Sequence, residues 1–129
     1  YQIYPTKDGK LIACGALEPK FWAAFTEAIG LAKEFVDDAR NPMATRDAVA
    51  KLILMKTSDE WRPIFAVADC CATVIVPLEQ AMRDPHFVER GLFAHQVGTD
   101  SGTTLPALPL PIAPDFRAAP GTKNAPKLD

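Results

Sequence analysis

The stretch GALEPKFW, residues 15–22, places a single acid, Glu18, between an apolar run and a proline. Proline is favoured in the first turn of a helix, where its missing N–H removes no hydrogen bond. Glu18 is therefore predicted at or just before a helix N-terminus, where unpaired backbone amides and the helix dipole favour a carboxylate anion. Such an anion could orient an imidazole and favour its charged form. A proton-transferring group at neutral pH would need the opposite surroundings. Acids are also common at helix starts for electrostatic reasons alone.

The other reactive side chains predict little chemistry. Cys14, Cys70 and Cys71 form neither an even framework nor a CxxC repeat, which predicts reduced thiols. A vicinal disulfide between the adjacent cysteines is an alternative to the favoured interpretation, small apolar side chains entering a strand. A zinc site would have to recruit His86 and His95 at irregular spacing, so no metal is predicted.

A short helical turn is predicted after Asp84-Pro85. His86 in this turn is expected to cap it or to lie at the surface. Asp84 and Arg90 could form a local ion pair, worth under about 1 kcal/mol if exposed. Cys14 precedes Gly15 in a predicted strand and is expected to be a buried thiol, because no histidine is near it in sequence to activate it.

The elements that would position Glu18 begin with a hairpin. Asp8-Gly9 is a hairpin turn signal between two apolar runs, which predicts strands over residues 1–6 and 10–16. A helix should follow from Pro19 to about Gly30. Its core-facing side chains have helical spacing. They are Phe21, Trp22, Phe25 and Ile29.

Further elements follow along the chain. A second helix is predicted from Thr45 or Asp47 through Lys56. Thr57 to Glu60 has the pattern of a capping box, and predicts a third helix to about Ala68. Trp61, Ile64 and Phe65 should be buried in it. Residues 72–76 predict a buried strand, residues 77–84 and 84–91 two short helical turns, and residues 92–97 one more strand.

Composition excludes several classes of protein. The net charge of −2 gives no basic field for nucleic acid. No apolar run approaches the roughly 18 residues needed to cross a bilayer, so no membrane partner is predicted. The first ten residues lack the order of a secretory signal, which predicts a cytoplasmic protein.

The C-terminal segment differs in character, because half of the chain's twelve prolines follow residue 104. Such a segment cannot form interior strands or helices and should be extended. We therefore predict an α+β fold in which a small helical domain, residues 1–104, packs on a short antiparallel sheet. Residues 105–129 form an extended proline-rich arm that suits burial against a further domain.

Several motifs together resemble one known family. They are Tyr1-x-x-Tyr4, TKDGK at 6–10, GALEPKF at 15–21, DEW at 59–61 with Phe65, DCC at 69–71, DPHxxxRGxF at 84–93 and the proline-rich end with APKL at 125–128. In this order and spacing the chain resembles the small domain and C-terminal segment of a class III CoA-transferase. This CaiB/BaiF family includes carnitine CoA-transferase-like enzymes and, most similar here, α-methylacyl-CoA racemases.

The resemblance implies a fragment of an acyl-CoA enzyme, inactive by itself. The parent would transfer CoA between carboxylic acids or racemise 2-methylacyl-CoA thioesters, with the CoA thioester as substrate and no tightly bound cofactor. Its catalytic aspartate, and the histidine used by racemases, would lie in a missing large domain. Glu18 matches the glutamate that hydrogen-bonds that histidine. The absence of a glycine run after Gly15 favours the racemases.

The resemblance also implies partners. Besides acyl-CoA and a free carboxylic acid, these are the missing large domain and a second copy of the parent in an interlocked homodimer. The alternative function is a stand-alone, non-catalytic interaction domain that presents the proline-rich tail to a binding module.

Overall fold

In the computed structural model, which describes residues 1–126, the chain opens with the predicted hairpin. Strands β1 (Gln2–Pro5) and β2 (Leu11–Cys14) pair antiparallel. The turn closes through a hydrogen bond from the Gly9 amide to the Thr6 carbonyl, at 3.0 Å. Gly9 has a φ of +72°, a conformation that glycine adopts without a steric penalty. The Asp8-Gly9 signal therefore identified the turn correctly.

Three helices follow, and two of them agree with the sequence. Helix α1 (Pro19–Ile29) begins after Glu18 and ends at Gly30, as predicted. Helix α3 (Ser58–Ala68) begins with the predicted capping box, in which the Thr57 hydroxyl and the Glu60 carboxylate each accept from the other's backbone amide. Residues Lys33–Phe35 form a short 3₁₀ turn.

Helix α2 (Pro42–Ile53) begins earlier than predicted. The Asn41 side chain accepts a hydrogen bond from the Ala44 amide at 3.2 Å, and Pro42 takes the first helical position. An asparagine cap followed by proline is a strong start signal, and it explains why the predicted start at Thr45 or Asp47 was wrong.

The first sheet has the order β1-β2-β3, with β3 at Ala72–Ile75. The expectation that residues 72–76 are a buried strand was wrong in part. The strand forms, but it lies at the sheet edge, and only Val74 is buried. Helices α1, α2 and α3 pack with this sheet around one core. Its largest fully buried side chains include Trp61, Phe25, Ile12 and Ile53.

This part of the chain forms one compact unit, Tyr1–Ile75, and Val76–Asp129 forms a second. The second unit begins with two short helices, α4 (Leu78–Ala81) and α5 (Pro85–Glu89), as predicted. Its sheet has the order β5-β4-β6, with β4 at His95–Gly98, β5 at Thr104–Ala107 and β6 at Thr122–Asn124. Strand β4 starts later than the predicted strand over 92–97, because Gly91 and the residues after it form a turn.

The proline-rich segment contributes both outer strands of this second sheet. Strand β5, which contains Pro106, pairs antiparallel with β4, and β6 pairs parallel with β4. Proline is tolerated at a sheet edge because it removes no interior hydrogen bond. The prediction that this segment forms no interior strand is therefore confirmed, and so is the α+β class. The segment is not extended throughout, because Pro114–Phe116 form a 3₁₀ turn. Within residues 1–126, no helix has the length and apolarity needed to cross a bilayer.

Candidate functional site

Glu18 lies at the junction between β2 and α1, where short-range hydrogen bonds fix the backbone. The Gly15 amide donates to the Cys71 carbonyl at 2.8 Å, and the Leu17 amide donates to the Gly15 carbonyl at 2.8 Å. Glu18 follows as the N-cap residue in extended backbone, and its carbonyl accepts from the Trp22 amide at 3.0 Å. The predicted position at the helix start is confirmed.

The Glu18 side chain is exposed, and its carboxylate does not cap the helix. Among residues 1–126, none of the ion pairs within 4.0 Å includes it. Lys20 is the cation nearest to it in sequence, but the Lys20 Nζ lies 4.4 Å from the centroid of the Phe21 ring. The carboxylate can therefore accept hydrogen bonds from a donor outside this chain.

Helix α1 gives this carboxylate a rigid base. The Trp22 indole donates to the Val36 carbonyl at 2.7 Å, which ties the first turn of the helix to the following 3₁₀ segment. One turn later Phe25 is completely buried, with its ring centroid 6.1 Å from that of Phe65 on α3. Trp22, Phe25 and Ile29 thus pack the helix into the core as predicted from helical spacing, which holds its N-terminus in place. Phe21 was also predicted to face the core, but it lies outside the core cluster.

Tyr1 and Cys71, which the sequence did not connect with Glu18, lie beside Gly15 in the loop that leads to Glu18. A Cβ added at Gly15 would lie 3.5 Å from the Cys71 carbonyl oxygen and 3.9 Å from Cε1 of Tyr1. The strand register brings them together, because Gln2, Cys14 and Ala72 pair across the three strands. Tyr1 and Leu17 are 87% and 61% exposed, so the surface near Glu18 offers apolar contacts next to a carboxylate.

The cysteines do not form a reactive centre. All three are free thiols, with Cys14 and Cys70 buried and Cys71 exposed. Burial is the main cause that raises the pKa of the Cys14 and Cys70 thiols. Both buried thiols are therefore poor nucleophiles at neutral pH. The vicinal disulfide considered as an alternative is not present.

The two histidines form no part of a metal-ligand cluster in the described residues. His86 is exposed, and its amide donates to the Asp84 carboxylate at 2.9 Å, so Asp84 serves as the N-cap of α5. Arg90 has its Nη1 atom 3.4 Å from Nε2 of His86, and the predicted ion pair between Asp84 and Arg90 was wrong. His95 lies on β4. The described part of the chain contains no cluster of three or more potential metal ligands.

Comparison with known proteins identifies the family of this chain. The sequence profile described as CoA-transferase family III matches residues 1–129. The chain belongs to CoA-transferase family III. The predicted family is therefore confirmed. The match includes the proline-rich end, so the comparisons support this family and give no support to the alternative of a stand-alone interaction domain.

Two relatives of this family III chain are named α-methylacyl-CoA racemase. The mouse protein (Mus musculus) is 33% identical over 99% of this chain, which covers 33% of that protein. The human protein (Homo sapiens) is 30% identical over 98% of this chain, which again covers 33% of it. A CaiB/baiF CoA-transferase family protein of Caenorhabditis elegans is 31% identical over 72% of this chain. The chain thus spans about a third of the length of the two racemases.

A crystal structure shows a similar fold. A mutant of Rv3272 from Mycobacterium tuberculosis superposes with a TM-score of 0.68 at 22% sequence identity. The match covers 90% of this family III chain and 34% of the other. It supports the fold of the chain described above.

Proposed function

We propose that this family III chain is one part of an acyl-CoA enzyme, comprising the small domain (residues 1–104) and the arm that returns to a large domain (residues 105–129). Its match to relatives about three times its length supports this proposal. The parent acts on acyl-CoA thioesters without a tightly bound cofactor. The chain alone is inactive, because the catalytic aspartate lies in the large domain.

Glu18 is proposed to be a positioning residue for a histidine of that large domain. The observation that carries the proposal is that the Glu18 carboxylate is exposed at a rigid helix start without capping the helix. It can therefore accept a hydrogen bond from an imidazole N–H, which orients the ring and favours its protonated form. The histidine, not Glu18, transfers the proton.

Two reactions are compatible with this family, and racemisation is favoured. In racemisation a base removes the proton α to the thioester, and an acid returns a proton to the opposite face. In CoA transfer, an aspartate attacks the thioester carbonyl, forms an acyl-aspartyl anhydride and releases the CoA thiolate. The thiolate attacks the aspartyl carbonyl and releases the first acid, and a second carboxylate then attacks this aspartyl-CoA thioester to give a new anhydride. The released thiolate finally attacks the new acyl carbonyl, which forms the product thioester and restores the aspartate. The two relatives named racemases and the lack of a glycine run after Gly15 favour the first.

The same family assignment motivates a proposal about the oligomeric state and compartment of the parent. We propose an interlocked homodimer, in which the small domain of one copy meets the large domain of the other. A cytoplasmic compartment suits three free thiols, since reduced cysteines persist there.

The test uses the intact parent enzyme with a 2-methylacyl-CoA in deuterated water. Deuterium at the α-carbon indicates racemisation, whereas CoA exchange onto a free acid without deuterium indicates transfer. We expect Glu18→Gln to lower kcat by about 10- to 100-fold, since a slightly misplaced catalytic group costs on this order.

A pH profile separates positioning from a structural role. Without the Glu18 anion, the protonated form of the histidine is less favoured and its pKa falls. The part of the pH–rate profile that reports the ionisation of this histidine should therefore move to lower pH. Glu27→Gln, which removes an exposed acid from the same helix, is the matched control. Equal activity and equal pH profiles for the two variants would exclude the proposed role of Glu18.

A further inference from the structure

The second unit contains a cavity of about 360 Å³, and all of its described lining residues belong to that unit. One side of the cavity is a face of the β5-β4-β6 sheet. Val97 on β4 pairs with Lys123 on β6, and His95 pairs with Ala107 on β5, so these four residues share that face. The other walls are two segments of the proline-rich tail, residues 108–110 and 117–119.

Among residues 1–126, the charged side chains that line this cavity are both basic, Arg117 and Lys123, and none of these lining residues is an acid. His95 also lines it. This contrasts with the chain as a whole, whose net charge is −2. Within the described residues, none of the ion pairs includes a residue of the cavity wall. A cavity walled in this way is complementary to an anion.

Arg117 is held in place in the wall. Its Nε donates to the Ile112 carbonyl at 2.7 Å, and its side chain is half-buried. This bond uses one N–H of the guanidinium and leaves the terminal amino groups available, which suits two-point contact with a carboxylate or phosphate.

The rest of the wall is mostly apolar. Val97 and Ala107 come from the sheet, and Leu108, Pro109 and Leu110 come from the tail. The volume falls within the range of small-molecule sites, which combine apolar walls with a few polar groups that fix orientation.

We propose that this cavity binds a small amphiphile with an anionic head and an apolar chain, the head lying near Arg117 and Lys123 and the chain against residues 108–110. The site belongs to the second unit alone, so the inference does not rest on the proposed acyl-CoA activity. A binding measurement tests it without any catalytic readout.

The test is an NMR titration of the 129-residue chain with octanoate. We expect backbone amide shifts to concentrate in residues 95–97, 107–110 and 117–123. Lys123→Gln should weaken binding by about 3- to 5-fold, since one exposed ion pair contributes on this order. Lys51→Gln, which removes an exposed charge from α2, should leave the affinity unchanged. Lys123 is a better target than Arg117, because Arg117 also ties the tail together.

Three further ligands test separately the need for an anionic head and the need for an apolar chain. Octyl phosphate should bind to the same residues, and its affinity relative to octanoate tells whether phosphate or carboxylate is the preferred head. Inorganic phosphate and 1-octanol should both bind more weakly than octanoate. The proposal is overturned if 1-octanol or inorganic phosphate binds as well as octanoate, if Lys123→Gln has no effect, or if the shifts lie outside the cavity.

Discussion

The Asp8 carboxylate joins the first hairpin to helix α3. It accepts hydrogen bonds from the Thr6 hydroxyl at 2.6 Å, and from the amide and hydroxyl of Ser58, each at 2.8 Å. The Lys10 ammonium lies 3.8 Å away. These hydrogen bonds hold the pKa of Asp8 far below its ordinary value of 3.8, and the bond from the Thr6 hydroxyl has the largest effect. The ionised carboxylate is therefore the form that stabilises the fold.

We predict that Asp8→Asn lowers the free energy of unfolding of the chain at neutral pH. We also predict that the free energy of unfolding of this variant depends less on pH in the acid range. A carboxylate whose pKa is lower in the folded chain than in the unfolded chain stabilises the fold. This contribution is complete at pH values above the unfolded-state pKa of 3.8, and it is lost as the pH falls below that value. Wild type should therefore lose more stability than Asp8→Asn between about pH 5 and pH 2. Urea unfolding at several pH values measures this. Asp38→Asn, at an exposed acid, is the control and should behave as wild type.

The three cysteines should differ in reactivity. Cys71 is exposed, whereas burial raises the pKa of the Cys14 and Cys70 thiols and also blocks access to them. We predict that iodoacetamide modifies one thiol in the native chain and three in urea, as counted by mass spectrometry. Cys71→Ser should abolish the native modification. Rapid modification of two or more native thiols would contradict the burial described here.

At the scale of the elements, the clearest test concerns the start of α2. The Asn41 side chain accepts from the Ala44 amide, and an N-cap of this kind contributes about 1 kcal/mol. We predict that Asn41→Ala lowers the free energy of unfolding by this amount, measured by urea denaturation. Asn41→Asp keeps an acceptor and should lose much less. An unchanged free energy in Asn41→Ala would show that the cap contributes nothing.

The elements predicted best are those whose signals are local. The Asp8-Gly9 turn, the Thr57 capping box and Pro19 each act through backbone groups a few residues away, so the sequence alone locates them. The start of α2 was missed although its signal, Asn41 followed by Pro42, is equally local. The second sheet was not predicted, because its strands pair only after the tail folds back along β4.

For the whole molecule, the two units differ in how much they bury. All twelve buried hydrophobic residues of the core belong to residues 4–74, and no hydrophobic side chain is buried between residues 76 and 126. Stability within a protein follows buried apolar contacts. The first unit should therefore be the more stable of the two.

We predict that hydrogen exchange reports this difference. In the 129-residue chain, amides of β2 and α3 should exchange slower than those of β4 and β5 by roughly a factor of ten or more, because exchange follows local stability. Mass spectrometry of peptides after timed labelling measures both regions in one sample. Similar protection in the two units would mean that the second unit gains stability from contacts other than buried side chains.

The sequence alone determined the family motifs, the α+β class, the hairpin and the placement of Glu18 at a helix start, because each depends on neighbouring residues. Only the tertiary structure decided that Asp8 bonds to Ser58, that Tyr1 and Cys71 lie beside the Glu18 loop, and that basic side chains gather around a cavity in the tail. These contacts join residues far apart in the chain. Strand register and packing fix them, and neither can be read from local spacing.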